Sequence, residues 1–345
     1  MAWPQTRLTE LLGIRYPIVQ APMAGGPNTV ELAAAVSEAG GLGSLAGAML
    51  SPDELREEIR ATRQRTRRPF AVNVFARLPA SEPDPAAVEA VRRALDAHRE
   101  RLGLPPREPA PPRTWTVEDQ LTVVAEERVP ALSFTFGIPP LDGFDDVLLM
   151  GTATTRAEAV ELERAGVDAI VVQGAEAGGH RGTFLSSFED GLVGLVALVP
   201  QVVDAVDVPV VAAGGIVDGR GIAAALALGA AGVQLGTAFL FCPESGASPA
   251  WRRALRERPT VVSAAYTGRP ARGARTPFIE DLEAAPPPAP YEIQRGLTGD
   301  FRRLDGYGWY LGGQAASMAR ELPAAELIET LVAETAAALD ARHRR

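Results

Sequence analysis

Three histidines occur in 345 residues, and one of them is placed as a reagent would be. His180 follows Gly178 and Gly179 in the stretch VVQGAEAGGHRG, residues 171–182, directly after an apolar, β-branched run. An imidazole titrates near neutral pH, so it can take or give a proton there, and the glycines before it let backbone approach a ligand closely. His98, inside RRALDAHRER, and His343, near the C-terminus, sit among charged residues and are expected to be structural or solvated. Glu176 is expected either to orient His180 or to face water.

Two glycine loops suggest a second kind of chemistry. In AAGGIVDGRG, residues 212–221, Gly214 and Gly215 close an apolar run just ahead of a helical pattern. Backbone N–H groups of such a loop, with the helix N-terminus behind them, suit a phosphate. In QLGTAF, residues 234–239, Gly236 adds an N–H and Thr237 a hydroxyl. Paired glycines also serve simple tight turns. Taken together the two loops favour a phosphate, which these residues leave open as part of a substrate or of a cofactor. Gln173 and Asn73 end their runs with amides that both donate and accept, while Met23 and Gly25 follow the first run, where a methionine lines a ring face or packs.

Absences narrow the chemistry. All 34 basic residues are arginine, which removes Schiff-base aldolases, pyridoxal-phosphate enzymes and the P-loop lysine. The one cysteine, Cys242, allows neither an internal disulfide nor a multi-cysteine metal site, and G-x-S-x-G, C-x-x-C and H-E-x-x-H are all missing, so no metal is expected. A net charge of −9 without a basic block excludes nucleic acid as a partner. Single-cysteine usage suits a reducing cytoplasm, and the N-terminus MAWPQTRLTELLGI lacks the layout of a signal peptide.

These residues need elements to hold them. Eight apolar or β-branched runs recur, at 17–23, 42–46, 70–75, 131–136, 147–153, 169–174, 209–215 and 232–237. Amphipathic stretches such as TVELAAAVSEAG, SPDELREEIRATRQ, TRAEAVELERAG and DGRGIAAALALGA separate most of them. Eightfold strand and helix alternation predicts an α/β fold, a (β/α)8 TIM barrel, whose active site lies at the C-terminal strand ends, with phosphate commonly held after strands seven and eight. The Pro-rich segments LPASEPDP and LPPREPAPPR mark an insertion over about 78–128, between strands three and four. Residues 1–240 are expected to form the barrel, and 241–345 a small C-terminal cap with a helical tail that packs on it, ending in a solvated ARHRR. Residues 221–242 are apolar enough to span a membrane, but Gly229 and Gly232 split them into a helix and a strand, so no membrane is expected. GGLGSLAG fits G-x-G-x-x-A from Gly41, but a helix precedes and a strand follows, the reverse of a dinucleotide fingerprint.

QAPMAGG, FAVNVF, VVQGAEAGGHRG and VVAAGGIVDGRGIAAALALGAAGVQLGTAFL resemble, in order and over nearly the whole chain, the nitronate monooxygenase family, formerly called 2-nitropropane dioxygenases. The resemblance implies an FMN-dependent enzyme that oxidises alkyl nitronates with O2 to a carbonyl compound and nitrite, and it leaves open whether neutral nitroalkanes are substrates too. It implies FMN contacts at Asn73, Gln173, Gly178, Gly215, Gln234, Leu235, Gly236 and Thr237, with Met23 and Gly214 beside them from the reading above, and His180 as the catalytic residue. Family members place tyrosines and a lysine of the cap near substrate; this chain has Tyr291, Tyr307 and Tyr310 but no lysine. The alternatives are an FMN-dependent enoyl reductase or quinone reductase using NAD(P)H on the same fold, and a flavin-binding protein without turnover. Chemistry of the inosine-monophosphate dehydrogenase kind needs a loop cysteine, and Cys242 lies beyond the eighth run. Nothing in the sequence specifies an oligomeric state.

Overall fold

The computed structural model describes residues 3–76, 84–108, 113–282 and 286–343. Most of LPASEPDP and the middle of LPPREPAPPR lie outside these, as do the last two residues of ARHRR.

All eight expected runs form strands, because β-branched residues fit a pleated surface buried on both faces. They are β1 (Ile18–Gln20), β2 (Gly43–Ala46), β3 (Phe70–Phe75), β4 (Ala131–Thr135), β5 (Leu148–Ala153) and β6 (Ala169–Gln173), then, past a two-residue strand β7 (Gly179–His180) of another sheet, β8 (Val210–Ala213) and β9 (Gly232–Leu235). The eight are parallel, in the order β1-β9-β8-β6-β5-β4-β3-β2. The ring closes where Leu42 accepts from Gln20 N–H and donates to Ile18 C=O, both at 2.9 Å. The fold is a (β/α)8 TIM barrel, as the alternation predicts.

Helices begin where a side chain can accept the free N–H groups of a first turn. After α1 (Arg7–Leu12), Thr29 caps α2 (Val30–Glu38), and Ser51 with Glu54 forms a reciprocal capping box on α3 (Pro52–Arg65). Past the inserted α4 (Pro85–Arg101), Thr116 caps α5 (Val117–Glu126) and Thr155 caps α6 (Arg156–Arg164). α7 (Leu195–Val203) lacks such a cap of its own, and Asp218 starts α8 (Gly219–Ala227) by accepting from Arg220 and Gly221 N–H at 3.0 and 3.1 Å.

Strand period decides what each residue faces. Val19, Ala71, Ala131, Met150, Ala169, Val171 and Val211 point inward and pack on Leu8 and Leu12 of α1, which plugs the N-terminal end. Ile18, Val72, Leu132, Ile170, Val172, Val233 and Leu235 point outward under the helices. At the open end the next inward positions are Asn73, Ser133, Thr152, Gln173, Ala213 and Gln234, and all of them line one cavity.

The chain beyond the barrel continues through α9 (Thr237–Leu240), α10 (Pro249–Glu257), β10 (Thr260–Ser263), β11 (Ala271–Ala274), α11 (Pro277–Asp281), α12 (Tyr291–Leu297) and α13 (Ala324–His343). α4 packs on this cap rather than on the barrel: Val91 and Leu95 share a buried cluster with Tyr266, Phe278, Leu297 and Phe301. The buried Arg99 ties the two by donating to Asp300 at 2.7 Å. α13, by contrast, lies against α8 and α2 in the outer ring, where Ala324, Leu327, Ile328 and Leu331 join the barrel core. The tail helix packs on the barrel, its apolar face filling the ring position left open after β9. No described helix is long and apolar enough to cross a membrane.

Candidate active site

The cavity sits at the C-terminal strand ends and has a volume of about 1380 Å³ with its open mouth included. Barrel loops make its floor. Trp251, Tyr291, Trp309 and the 311–313 segment of the cap cover it. Of the expected site residues, Met23, Asn73, Gln173, Gly178, His180, Gly214, Gly215, Gln234, Gly236 and Thr237 all line it. Leu235 does not. It is buried in the core under the helices, because it neighbours Gln234 on a strand and must face the other way.

The cradle after β8 and β9 is built from backbone. Gly214 and Gly215 hold φ of +125° and +69°, conformations an L side chain resists. A Cβ on Gly215 would stand 3.2 Å from Glu176 Cβ, and one on Gly236 would be in ordinary contact with Ala21 Cβ at 3.4 Å. Among the described residues the N–H groups of Gly214, Gly215, Gly236 and Thr237 have no acceptor. Thr237 Oγ1 accepts from Gly313 N–H at 2.9 Å, which leaves its hydroxyl proton to give. Unpaired donors at two adjacent strand ends fit a phosphate.

The amides divide. Asn73 Nδ2 donates to Ser133 Oγ at 2.9 Å, and its oxygen takes no hydrogen bond among the described residues. Gln173 Nε2 donates to His180 C=O and its oxygen accepts from Gly182 N–H, both at 2.9 Å. The amide thus fastens the loop that carries His180, and keeps a second N–H and a second lone pair on the cavity it lines. Glu176 makes no bond to His180 among the described residues; both its oxygens accept from Leu195 N–H, at 2.9 and 3.0 Å, and cap α7.

His180 belongs to two parts of the molecule. Its residue is in β7, which pairs antiparallel with β11 of the cap, Ala271 opposite His180 and Arg272 opposite Gly179. The loop is clamped by two guanidinium groups the sequence reading passed over. Arg181 donates to the carbonyls of Gln173, Gly174 and Gly191, and Arg272 to that of Ala175. Gly178 lets the cap in: a Cβ there would fall 2.4 Å from Gly312 C. The imidazole is ringed by the edges of Phe75, Phe136, Tyr291 and Trp309, with centroids 5.1 to 6.3 Å away. Its Nε2 lies 3.0 Å from Thr267 Oγ1. Burial first, and then the charges of Arg269, Arg302 and Arg295, push its pKa down to about 3, so it is neutral at neutral pH.

Of the three cap tyrosines, Tyr291 lines the cavity, whereas Tyr307 packs beside His98 and Tyr310 beside Trp251. The aromatic wall of Phe75, Phe136, Trp251 and Trp309 was missed. Period along β3 gave a signal for Phe75; the tryptophans come from segments distant in sequence and gave none.

The geometry can be set beside known proteins. The nitronate monooxygenase family model matches residues 5–334. A probable nitronate monooxygenase of Staphylococcus saprophyticus subsp. saprophyticus is 41% identical over 95% of this chain and 96% of its own, and one of Staphylococcus aureus is 42% identical over 87% of each. Among solved structures, a nitroalkane oxidase from Streptomyces ansochromogenes superposes with a TM-score of 0.89 at 42% identity, covering 97% of this chain and 99% of that one. FabK from Thermotoga maritima superposes at 0.77 with 33% identity and 98% coverage of both. With backbone N–H groups and an imidazole at one cavity, and with these likenesses along its whole length, the chain belongs to the nitronate monooxygenase family of flavin-dependent oxidoreductases.

Proposed function

We propose that the protein binds FMN and oxidises alkyl nitronates with O2 to a carbonyl compound and nitrite, and that it also takes neutral nitroalkanes. The observation that carries this is the neutral, edge-ringed imidazole of His180 opening on the same cavity as the unpaired N–H groups of Gly214, Gly215, Gly236 and Thr237. Those groups would hold the single phosphate of FMN, and the absence of a dinucleotide fingerprint argues against FAD. When bound, the flavin supplies the electron acceptor for the nitronate carbon and passes the electrons on to O2.

This chain's own residues do the rest. A neutral nitroalkane must lose its α-proton first, and His180, uncharged at working pH, has a lone pair to take it. The arginine charges that disfavour imidazolium, from Arg269, Arg302 and Arg295, favour the nitronate anion that forms. Phe75, Phe136, Tyr291 and Trp309 keep water from the reacting carbon. The reaction partners are thus a small anion or its neutral acid and O2, acted on in the cytoplasm.

Purified protein is expected to be yellow, to release FMN and no FAD on denaturation in a ratio of about one to one, and to turn over nitronates. Colourless protein that FMN cannot reconstitute overturns the cofactor. Likeness to FabK keeps a reductase as the second reading: rapid anaerobic bleaching of the flavin by NADH or NADPH, without nitronate turnover, moves the assignment to an enoyl or quinone reductase. Flavin bound with neither activity leaves a binding protein.

A further inference from the structure

We propose that Thr267, a cap residue, fixes the tautomer of His180, putting the ring proton on Nε2 and leaving Nδ1 as the basic atom that faces the ligand. The inference rests on the reading of His180 as a base and extends it to a specific nitrogen and a positioning residue.

A threonine hydroxyl has one proton to donate and lone pairs to accept with. Thr267 Oγ1 lies 3.2 Å from the carbonyl oxygen of Arg269, which can only accept, and no other described donor reaches that oxygen. It also lies 3.0 Å from His180 Nε2. Both contacts are made at once only if the hydroxyl donates to Arg269 and accepts from an Nε2–H. The reverse arrangement, with the hydroxyl donating to Nε2, gives up the bond to Arg269 and leaves that carbonyl without a donor among the described residues. Because the imidazole is neutral, a proton on Nε2 means none on Nδ1. No described residue bonds to Nδ1, nor is it among the polar atoms sealed from solvent without a partner, so it is the nitrogen open to the cavity that His180 lines.

Thr267 is held where it must be. It is 1% exposed, and its turn is closed by two bonds to Ala264 C=O, from Thr267 N–H at 3.2 Å and Gly268 N–H at 2.7 Å. Gly268 has a φ of +72°, and a Cβ on it would fall 2.0 Å from Ala289 O. Thr298 Oγ1 donates to Tyr266 C=O at 2.6 Å and pins the preceding residue. Among the described residues, Thr267 Oγ1 is the one hydrogen-bond partner of Nε2. In proton abstraction the α C–H bond breaks, its electrons become the C=N bond of the nitronate with the charge on the nitro oxygens, and the proton goes to Nδ1. The resulting imidazolium keeps its Nε2–H on Thr267, so the ring need not turn during the transfer.

The test is a ring-nitrogen NMR spectrum of flavin-loaded protein labelled with 15N-histidine, in which three histidines give few signals and His180→Asn assigns those of His180. Wild type should show an N–H on Nε2 and an unprotonated Nδ1. Thr267→Val keeps the shape and removes the acceptor, so part of the population should move to the Nδ1–H form; Thr267→Ser should retain the wild-type pattern. With flavin content and melting temperature matched, Thr267→Val should lose about 10-fold in kcat/KM on a neutral nitroalkane, less on the preformed nitronate, with Thr267→Ser restoring most of it. A proton on Nδ1 in wild type, or an unaltered spectrum in Thr267→Val, overturns the assignment. A spectrum that shifts as expected while both substrates lose equally supports the role of Thr267 and removes His180 as the base.

Discussion

The floor and the roof of the active site are made by opposite means. On the barrel side the cradle is backbone: unpaired N–H groups at Gly214, Gly215, Gly236 and Thr237, offered by the ends of β8 and β9. On the cap side the wall is side chains: Thr267 on His180, Trp309 and Tyr291 around it, and arginine charge behind. Parallel strand ends present N–H groups in fixed geometry whatever the side chains are, so a floor of this kind holds a group common to all turnovers. Side chains from a separate layer can change without disturbing the barrel, so in the proposed reaction the roof would set which proton moves and from what molecule. His180 is part of both, through Gln173 below and β11 beside it, and Thr237 joins them as well by accepting from Gly313 N–H.

If the roof does proton chemistry and the floor holds flavin, damage to each should read differently. The largest effect is expected from His180→Asn, which should lose on the order of 10²-fold or more in kcat/KM on a neutral nitroalkane, with flavin retained and a smaller loss on the nitronate. Steady-state kinetics on both substrates checks it; equal losses would make His180 a binding group.

Gly215→Val attacks the floor alone. A β-branched side chain at φ +69°, with its Cβ 3.2 Å from Glu176 Cβ, should strain the loop by roughly 1–3 kcal/mol and displace the N–H groups. Flavin content should fall well below that of wild type, while circular dichroism keeps the barrel signature. Full occupancy would make Gly215 a turn residue only.

Gly178→Ala tests the seam. Its Cβ would stand 2.4 Å from Gly312 C, backbone against backbone, so the cap must shift outward, at a cost on the order of 1–3 kcal/mol. The expected result is a lower melting temperature and a nitroalkane activity reduced by more than flavin affinity is. Fluorescence titration with FMN beside kinetics separates the two, and an unchanged melting curve would mean the cap adjusts freely.

The smallest effect concerns pH. His98, buried against Phe278, Phe301 and Tyr307 where the inserted helix meets the cap, has its pKa lowered by burial first and then by Arg101, against Asp281. His180 is held down at about 3. Both bind a proton less readily in the fold than in the unfolded chain, where an imidazole takes one at a pKa of about 6.5. The unfolded chain thus binds more protons below that pH, so this stability is whole above about 6.5 and falls as pH drops, through the lowered pKa of His98 and down to about 3 for His180. Melting of the flavin-free protein should show a downward slope under pH 6.5 that His180→Asn flattens most and His98→Phe less. A flat profile in wild type would contradict both burials.

Much was legible in the sequence, and for a local reason. Strand runs, capping residues and glycine pairs act within a few residues of themselves, so the eight strands and the cradle at Gly214–Gly215 and Gly236–Thr237 could be read in order. Period along a strand would also have turned Leu235 away from the cavity, had it been applied to the run with Gln234. What the sequence could not fix were contacts between segments far apart in the chain: Gln173 fastening the loop that carries His180, Arg181 and Arg272 clamping that loop, the α4 insertion docked on the cap, and Thr267 standing 87 residues from the imidazole it bonds. An amide or a hydroxyl is equally able to serve a ligand, a loop or a neighbouring ring, and only the tertiary structure decides which partner comes within hydrogen-bonding distance.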